Sequence, residues 1–324
     1  QFNAALWWEG LGQIEKAVAA YQTYIQRFKD SKDVPQIAFN IGLVYAKAKR
    51  WNEAIKTFET FGNTYAKDSR TRSAELYVAR YQQFLAYQGL EDAKGQARMQ
   101  EELLKGYPKL SAEDKKDAQA LNAYAQARFL ALEPTWKQFG DLKLTKLATF
   151  KNDLKVKSKK MEDLQKSYAD VLAVGAGEWG IAALTRIGLA YADFAQNISD
   201  LPAPKQFDAE QKELFRAQLE EQAQPLEDKA IEAFEKALGK AYELSIYGDW
   251  TLLAQEKINK YRPGAYPKAR EIPFQGSEFF ATAPLVKEAG TPQEAPKAEA
   301  PGDKQGDKVG QTTVSRASGA AGGQ

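Results

Sequence analysis

The hexapeptide IGLVYA occupies residues 41–46 and recurs, with one substitution, as IGLAYA at residues 187–192. In each copy a glycine stands three residues before a tyrosine, so on a helix the two lie on one face. A helix with glycine at such a place can approach a neighbour closely, because no side chain holds the two backbones apart. The recurrence therefore predicts that the same kind of close helix pair occurs more than once.

A second helix follows the first copy of the hexapeptide. The first helix of the pair is expected to start near Pro35, since proline suits a first turn, and Asn52 is the predicted cap of the second. The same succession of aromatic, small and aromatic residues occurs twice at equal spacing near the start of the chain: Trp8, Ala17 and Tyr21, then Tyr45, Ala54 and Phe58. We interpret this part of the chain as a tandem repeat of helix pairs.

These residues resemble the tetratricopeptide repeat, a helix pair of about 34 residues with a glycine, a tyrosine and later an alanine and an aromatic residue at fixed places. The unit that contains Gly42 matches well and departs from the pattern at Ala38, which stands at the tryptophan position. The resemblance implies an all-α fold, a right-handed α-α superhelix of tetratricopeptide-like helix pairs whose first helices line the inner face.

The second copy of the hexapeptide belongs to a unit that an insertion divides. The signature residues of this unit are Gly188, Tyr191, Ala230 and Phe234. Its second helix therefore starts much later than the repeat predicts, with an insertion at about 196–225. Within it, Asp208 and Gln211 have the spacing of a capping box, so we expect a separate inserted helix from Asp208 to Gln224.

The chain divides into four regions on this interpretation. Residues 1–110 carry the tetratricopeptide-like repeats, and 111–262 form a less regular helical region with one long helix over 144–173. An extended strap is expected at 263–288. Residues 289–324 are expected to be a disordered tail, because they are rich in proline, glycine and charge and lack aromatic residues to bury.

Composition excludes several kinds of chemistry. The chain has no cysteine and no histidine, which removes thiolate nucleophiles, the commonest general base and the usual zinc ligands. We therefore expect no metal and no cofactor. The net charge of +2 gives little attraction for nucleic acid, and no apolar run is long enough to predict a transmembrane segment.

Candidate binding residues are those expected on the inner face of two first helices. They are Phe39, Asn40, Leu43, Lys47, Arg186, Leu189 and Asp193. Such a mixture of apolar and polar side chains suits an extended or helical segment of a partner protein. An alternative is equally open: Phe39 and Leu43 have the spacing of core residues and would then pack against neighbouring helices.

The predicted function is that of a non-enzymatic scaffold or adaptor that holds a partner protein or peptide, within a bacterial envelope assembly. The lack of cysteine suits a periplasmic or cell-envelope location, and a cytoplasmic one is the alternative. A competing hypothesis is a helper that binds or processes cell-wall glycan through Glu178 and Trp179. A single carboxylate beside a tryptophan supports it weakly, because glycoside hydrolysis usually requires two placed carboxylates.

Overall fold

The computed structural model describes residues 2–267, and every regular element in this part of the chain is helical. The α-helices are α1 (Phe2–Gly10), α2 (Ile14–Arg27), α3 (Val34–Lys47), α4 (Trp51–Tyr65), α5 (Ser73–Gly89), α6 (Ala93–Gly106), α7 (Ala118–Ala131), α8 (Glu133–Asp141), α9 (Phe150–Leu172), α10 (Gly177–Ser199), α11 (Ala209–Leu244) and α12 (Asp249–Tyr261). Two short 3-10 turns, Tyr107–Lys109 and Asp114–Lys116, connect α6 to α7.

Neighbouring helices pack in succession along the chain. The pairs α1 with α2, α3 with α4, and α5 with α6 are each joined by a short turn, and each pair also packs against the next. The buried apolar residues form three successive clusters, the first spanning α1 to α3, the second α3 to α7 and the third α7 to α12. Packing that is mainly between successive helices is typical of repeat proteins, and the prediction of an all-α helical repeat superhelix is confirmed.

The repeat signature lies mainly inside these clusters. The buried signature residues are Ala17, Tyr21, Gly42, Ala54, Phe58, Gly188, Tyr191, Ala230 and Phe234. Trp8 and Tyr45 are half-buried. The second helices become amphipathic through this spacing, since residues three, four and seven positions apart share one face of a helix.

The two hexapeptide glycines make the same contact. A methyl group added at Gly42 would lie 2.5 Å from the ring of Phe58, and one added at Gly188 would lie 2.6 Å from the ring of Phe234. Real side chains do not approach so closely, so each first helix can lie against the aromatic ring of its partner only because glycine stands there. This contact explains why the hexapeptide occurs twice.

The divided unit differs from the expectation of a separate inserted helix. Helix α11 continues from Ala209 through Gln224 to Leu244, although Asp208 and Gln211 do form the predicted capping box. Pro225 lies inside the helix and is exposed. It removes one backbone hydrogen bond without ending the helix, because the turns on both sides continue. The insertion thus lengthens the second helix, and its first turns are exposed almost all round over 208–218.

The long helix expected over 144–173 is present as α9, but it starts later than expected, at Phe150. The residues before it, 142–149, are non-helical and follow α8, a separate short helix. Tertiary contacts hold this segment: the Leu144 N–H donates to the side-chain oxygen of Asn197 at 3.3 Å, and the Lys157 ammonium donates to the Leu142 carbonyl at 2.8 Å. Packing against α10 therefore overrides the local helical preference.

The start of α4 lies before the predicted cap. The helix begins at Trp51 and Asn52 falls inside its first turn, so Asn52 is not the cap. The ring of Trp51 packs where a side chain at Gly89 of α5 would stand, 2.5 Å from an added methyl group. The first residue of α4 therefore packs against the next repeat.

The remaining expectations concern the C-terminal part of the chain. Residues 263–267 form a turn that folds back on α12. The Asn259 amide nitrogen donates to the Tyr266 carbonyl, and the Asn259 amide oxygen accepts from the Tyr266 N–H. The rest of the expected strap at 263–288 and the expected tail at 289–324 lie outside the described residues.

The glycine contact can be tested with a matched pair of substitutions in one repeat. We expect Gly42→Ala to lower the free energy of unfolding by about 1–3 kcal/mol, because the added methyl group overlaps the buried ring of Phe58. Gly62 lies inside α4 with nothing within 4 Å of an added methyl group, so Gly62→Ala should stabilise by about 0.5–1 kcal/mol through helix propensity. Urea unfolding followed by circular dichroism measures the free energy of unfolding of both variants. An equal change in the two would contradict a special role for the contact between Gly42 and Phe58.

Buried tyrosines make the fold sensitive to alkali. The hydroxyl of Tyr77 donates to the Leu103 carbonyl at 3.0 Å, whereas the buried hydroxyl of Tyr168 has no partner among the described residues. Burial raises the pKa of both above the usual range and raises the pKa of Tyr81 to about 12. A phenol with a raised pKa in the folded state contributes stability that is complete below about pH 10 and is lost as the pH rises further.

We therefore expect the free energy of unfolding to fall steeply above about pH 10. Tyr168→Phe should flatten this fall and leave stability at pH 7 equal or higher, because it removes a buried hydroxyl without a partner. Tyr77→Phe is the control: it loses a hydrogen bond and should cost about 1 kcal/mol at pH 7. Denaturant titrations at pH 7 to 11 measure both effects, and an unchanged alkaline limb in the Tyr168 variant would refute the assignment.

Candidate functional site

An open groove lies between the first helices α3 and α5 and the start of α7, with a volume of about 390 Å³. Its apolar floor consists of Phe39, Leu43, Phe61 and Val78. Its charged rim consists of Arg72, Glu75 and Asp117. We call this surface the inner groove, because successive first helices line the inner face of the repeat array.

The rim is built from the starts of two helices. The Glu75 carboxylate accepts from the backbone N–H of Arg72 at 3.2 Å and so caps α5. The Asp117 carboxylate caps α7 by accepting from the N–H groups of Gln119 and Ala120 at 3.0 and 3.2 Å. A carboxylate of the chain itself thus bonds backbone N–H groups at both helix starts, that of Arg72 before α5 and those of Gln119 and Ala120 in α7.

An ion pair joins these two caps across the groove. The Arg72 guanidinium donates to Asp117 at 3.0 Å and pairs with Glu75 at 3.3 Å. Burial opposes ionisation of Asp117, but the hydrogen bonds from Ala120 N–H and Arg72 outweigh it and hold its pKa below the usual value. The rim thus holds two carboxylates and one guanidinium.

A polar strip continues the inner groove by one helical turn. Tyr81 follows Val78 on α5, and its hydroxyl donates to Gln126 and lies 3.4 Å from the Asn122 amide, both on α7. The exposed carboxylate of Glu178, at the start of α10, is close enough to add to the effect of burial on the pKa of Tyr81. We call Tyr81, Asn122, Gln126 and Glu178 the polar strip.

The four N-terminal candidates lie in different surroundings. Phe39 is 8% exposed and packs on the rings of Phe58 and Phe61 at 5.2 and 5.6 Å, so it belongs to the core and to the groove floor together. Leu43 is half-buried beside it. Asn40 and Lys47 do not line the groove.

Asn40 and Lys47 have partners of their own. The Asn40 side chain accepts from Gln36 at 2.9 Å on the same helix, and the Lys47 ammonium pairs with Glu9 of α1 at 2.6 Å. Lys47 instead lines a second cleft, between α1 and α3. The inner groove thus includes two of the four residues that the sequence suggested for this helix.

Arg186 lies among aromatic rings in the C-terminal half. Its guanidinium is 4.4 Å from the ring centre of Trp136 and 5.2 Å from that of Trp250, and it pairs with Glu133 at 2.7 Å. Cation–π contacts and an ion pair engage this charge, and its buried Nε has no hydrogen-bond partner among the described residues. The side chain joins α8, α10 and α12, and the half-buried Leu189 packs against the same cluster.

Asp193 pairs with two lysines rather than facing a groove. It accepts from Lys143 at 2.8 Å and from Lys157 at 2.7 Å. The Lys157 side chain is fully buried, and burial lowers its pKa, while the hydrogen bond and charge of Asp193 partly offset that effect. These contacts hold the segment between α8 and α9 on α10.

The stretch proposed for glycan chemistry is divided between interior and surface. The Trp179 ring is half-buried and packs on Phe129 at 5.3 Å, and its ring nitrogen is buried. Glu178 is exposed in the first turn of α10, a place where the helix dipole favours an acidic residue. Within residues 2–267, Glu178 forms no hydrogen bond or ion pair.

No group of three or more acidic residues is placed to hold a metal ion within residues 2–267. In the same part of the chain, no helix combines the length and the apolar character needed to span a bilayer.

Comparison with known proteins identifies the N-terminal helix pairs. The sequence profile of the tetratricopeptide repeat matches residues 1–31 and 37–68, which contain α1 with α2 and all but the first turn of α3 with α4. These two segments therefore match the tetratricopeptide repeat, one helix pair each. No curated protein matches the sequence.

Among solved structures, the chain is similar to a tetratricopeptide repeats protein from Bacteroides fragilis, at 14% sequence identity and a TM-score of 0.36. The similarity covers 80% of this chain and 96% of that chain.

The rim and the polar strip were not predicted from the sequence. Helix α5 lacks a clear repeat signature, so the inner-face positions Arg72, Glu75 and Val78 could not be assigned by analogy with α3. One signal was present: Asp117 directly precedes a helical pattern, as a cap does. That signal predicts where α7 starts, but it does not predict that the start of α5 packs beside it.

The role of Asp193 can be tested by its effect on stability. Asp193→Asn leaves the buried Lys157 charge without its counter-ion, and we expect a loss of about 2–3 kcal/mol, below the range for fully buried pairs because Asp193 is partly solvated. Asp200→Asn, at an exposed position at the end of the same helix, should change stability by less than about 0.5 kcal/mol. Urea unfolding measures the stability of both variants. If Asp193→Asn were as stable as Asp200→Asn, the Lys157–Asp193 ion pair would not be what holds the segment.

Proposed function

We propose that the chain is a non-enzymatic scaffold that binds an extended segment of a partner protein in the inner groove. The observation that carries the proposal is the apolar floor of Phe39, Leu43 and Val78, which is open between three successive inner helices. Tetratricopeptide repeats generally mediate protein–protein contacts, and a repeat array presents its inner face as an extended binding surface.

The shape and chemistry of the inner groove support a peptide rather than a compact partner surface. Its floor accepts an apolar side chain, and desolvating such an anchor supplies most of the binding energy in interfaces of this kind. The polar strip offers the amides of Asn122 and Gln126, groups that can bond a peptide backbone. The Arg72 ion pairs fix the two helix starts, so the groove is formed before binding, which reduces the cost of association.

The setting of this scaffold is part of the proposal. We infer a place in a bacterial envelope assembly, which the lack of cysteine suits, with the cytoplasm as the alternative. The net charge of +2 favours protein over nucleic acid as the partner. A metal or cofactor is not part of the proposed function.

The glycan hypothesis has less support. A sugar-binding tryptophan presents an exposed ring face, whereas Trp179 packs on Phe129. The Glu178 carboxylate is exposed, but within residues 2–267 nothing around it indicates a sugar-binding site.

The groove can be tested with a phage-displayed library of random peptides selected on the immobilised full chain. We expect selected peptides to bind Leu43→Glu at least about tenfold more weakly, because the new carboxylate places charge on the apolar floor. Leu214→Glu is the matched control: Leu214 is 62% exposed near the start of α11, away from the groove, and its variant should bind normally. Fluorescence anisotropy measures affinity. Failure to select any peptide, or equal binding by the Leu43 variant, would refute the proposed site.

A further inference from the structure

Helix α1 is apolar on its exposed side as well as on its buried side. Its one charged residue, Glu9, pairs with Lys47 of α3 at 2.6 Å. The exposed side presents Leu6 and Trp7, which are 46% and 73% exposed, and Leu11 follows in the turn after the helix at 63%. A helix that is apolar all round is normally buried on both sides. The exposed side of α1 therefore has the character of an interface.

A shallow hollow of about 400 Å³ lies on this side and is lined by Leu6, Trp7, Gly10 and Leu11. We call these four residues the N-terminal patch. A methyl group added at Gly10 would meet no atom within 4 Å, so the helix surface around this glycine is open. The patch thus presents a protruding indole ring and, three residues further along the same helix, a stretch of helix surface without a side chain.

Rings placed on glycines join the helices in the N-terminal half of the fold. In each such contact a glycine of one helix lies against a ring of another helix, too close for any side chain at the glycine. The contacts are Gly42 with Phe58, Gly89 with Trp51, and Gly95 with Tyr87. Trp7 and Gly10 are the two halves of such a contact, but they lie side by side on one helix. Two antiparallel copies of α1 would place each Trp7 ring on the Gly10 of the other copy.

The exposed apolar area agrees with that of a symmetric dimer. At their exposed fractions, Leu6, Trp7 and Leu11 present roughly 400 Å² of apolar surface. Two copies would therefore bury about 800 Å² of apolar surface. A standard interface buries about 1,600 Å² in total, of which about 57% is non-polar, or about 900 Å². Two N-terminal patches supply most of that area.

The charges near the N-terminal patch do not oppose the meeting of two identical faces. The four side chains of the patch are uncharged. The cleft beside it, between α1 and α3, includes Glu9 and Lys47, which have opposite charges and pair with each other. A two-fold interface brings each surface against its own copy, so a face with one sign of charge would repel itself. This face is balanced.

We propose that the N-terminal patch is the interface of a homodimer, in which α1 of a second copy of this chain packs antiparallel on α1. Each Trp7 ring lies on Gly10 of the other copy, and each Leu6 lies opposite Leu11 of the other copy. Such an interface is isologous, so the assembly closes at two copies. The inference does not depend on the inner groove, which lies between α3, α5 and α7.

The oligomeric state of the full chain tests the proposed dimer. We expect sedimentation velocity at micromolar concentrations to show a monomer–dimer equilibrium. Trp7→Glu and Leu11→Glu should each weaken dimerisation at least about tenfold, because a two-fold interface loses every contact twice. Tyr247→Glu is the matched control: Tyr247 lies between α11 and α12, is 65% exposed and is not part of the patch, so its variant should dimerise like wild type. Circular dichroism verifies that each variant is folded.

Disulfide crosslinking tests the antiparallel arrangement, since the chain has no cysteine of its own. Leu6→Cys and Leu11→Cys chains are oxidised separately and as a mixture. We expect a disulfide-linked dimer mainly in the mixture, because antiparallel helices place residue 6 opposite residue 11 of the other copy. A mixture of Leu6→Cys with Tyr247→Cys is the control and should remain largely uncrosslinked.

Three results would overturn the inference. A wild-type chain that stays monomeric at these concentrations would show that the patch is not a self-association surface. A dimer that persists in both Trp7→Glu and Leu11→Glu would have its interface elsewhere. Crosslinking of Leu6→Cys alone that equals crosslinking of the mixture would exclude the antiparallel arrangement. Binding of peptides in the inner groove is a separate measurement, and none of these results changes its outcome.

Discussion

The close approach of a glycine to an aromatic ring is the constraint on which the helix pairs depend. Gly42 lies against Phe58, and Gly188 lies against Phe234, at distances that leave no room for a side chain. Each contact brings two antiparallel helices together and buries a large ring completely. The inner face depends on this indirectly, because Phe39 packs on the ring of Phe58 and is held with one side open to the groove.

The C-terminal half keeps one such contact but relies on charges to hold its irregular parts. Helix α8 and the non-helical segment after it have no repeat signature to place them. Arg186 holds α8 through Glu133 and Trp136, while Lys157 and Asp193 hold the segment itself. Buried ion pairs are costly to form and add little net stability, but removing one partner costs much more, so they serve best to fix one arrangement among several. The residues that the sequence suggested as binding residues in α10 are used here to position helices.

The sequence predicted the parts of the fold that depend on local pattern. The hexapeptide, with Ala54 and Phe58, was sufficient to predict paired helices, and the capping box at Asp208 predicted a helix start correctly. The late start of α9 could not be predicted, because the non-helical segment before it is held through Leu144 and Lys157 by contacts with α10, which is distant in sequence. The continuation of α11 through Pro225 was missed for a related reason: proline is a local stop signal that the surrounding turns override.

The candidate site shows the same division between local and distant causes. Helical spacing placed Phe39 and Leu43 on one face, and both line the groove. The same reasoning could not show that the caps of α5 and α7 meet, because Arg72 and Asp117 are joined only when α5 and α7 pack together. A cap usually serves its own helix alone. Here the ion pair between two caps makes the start of one first helix depend on the next, and so the rim of the groove forms only when consecutive repeats are in register. The binding surface is accordingly a property of the array and not of any single repeat.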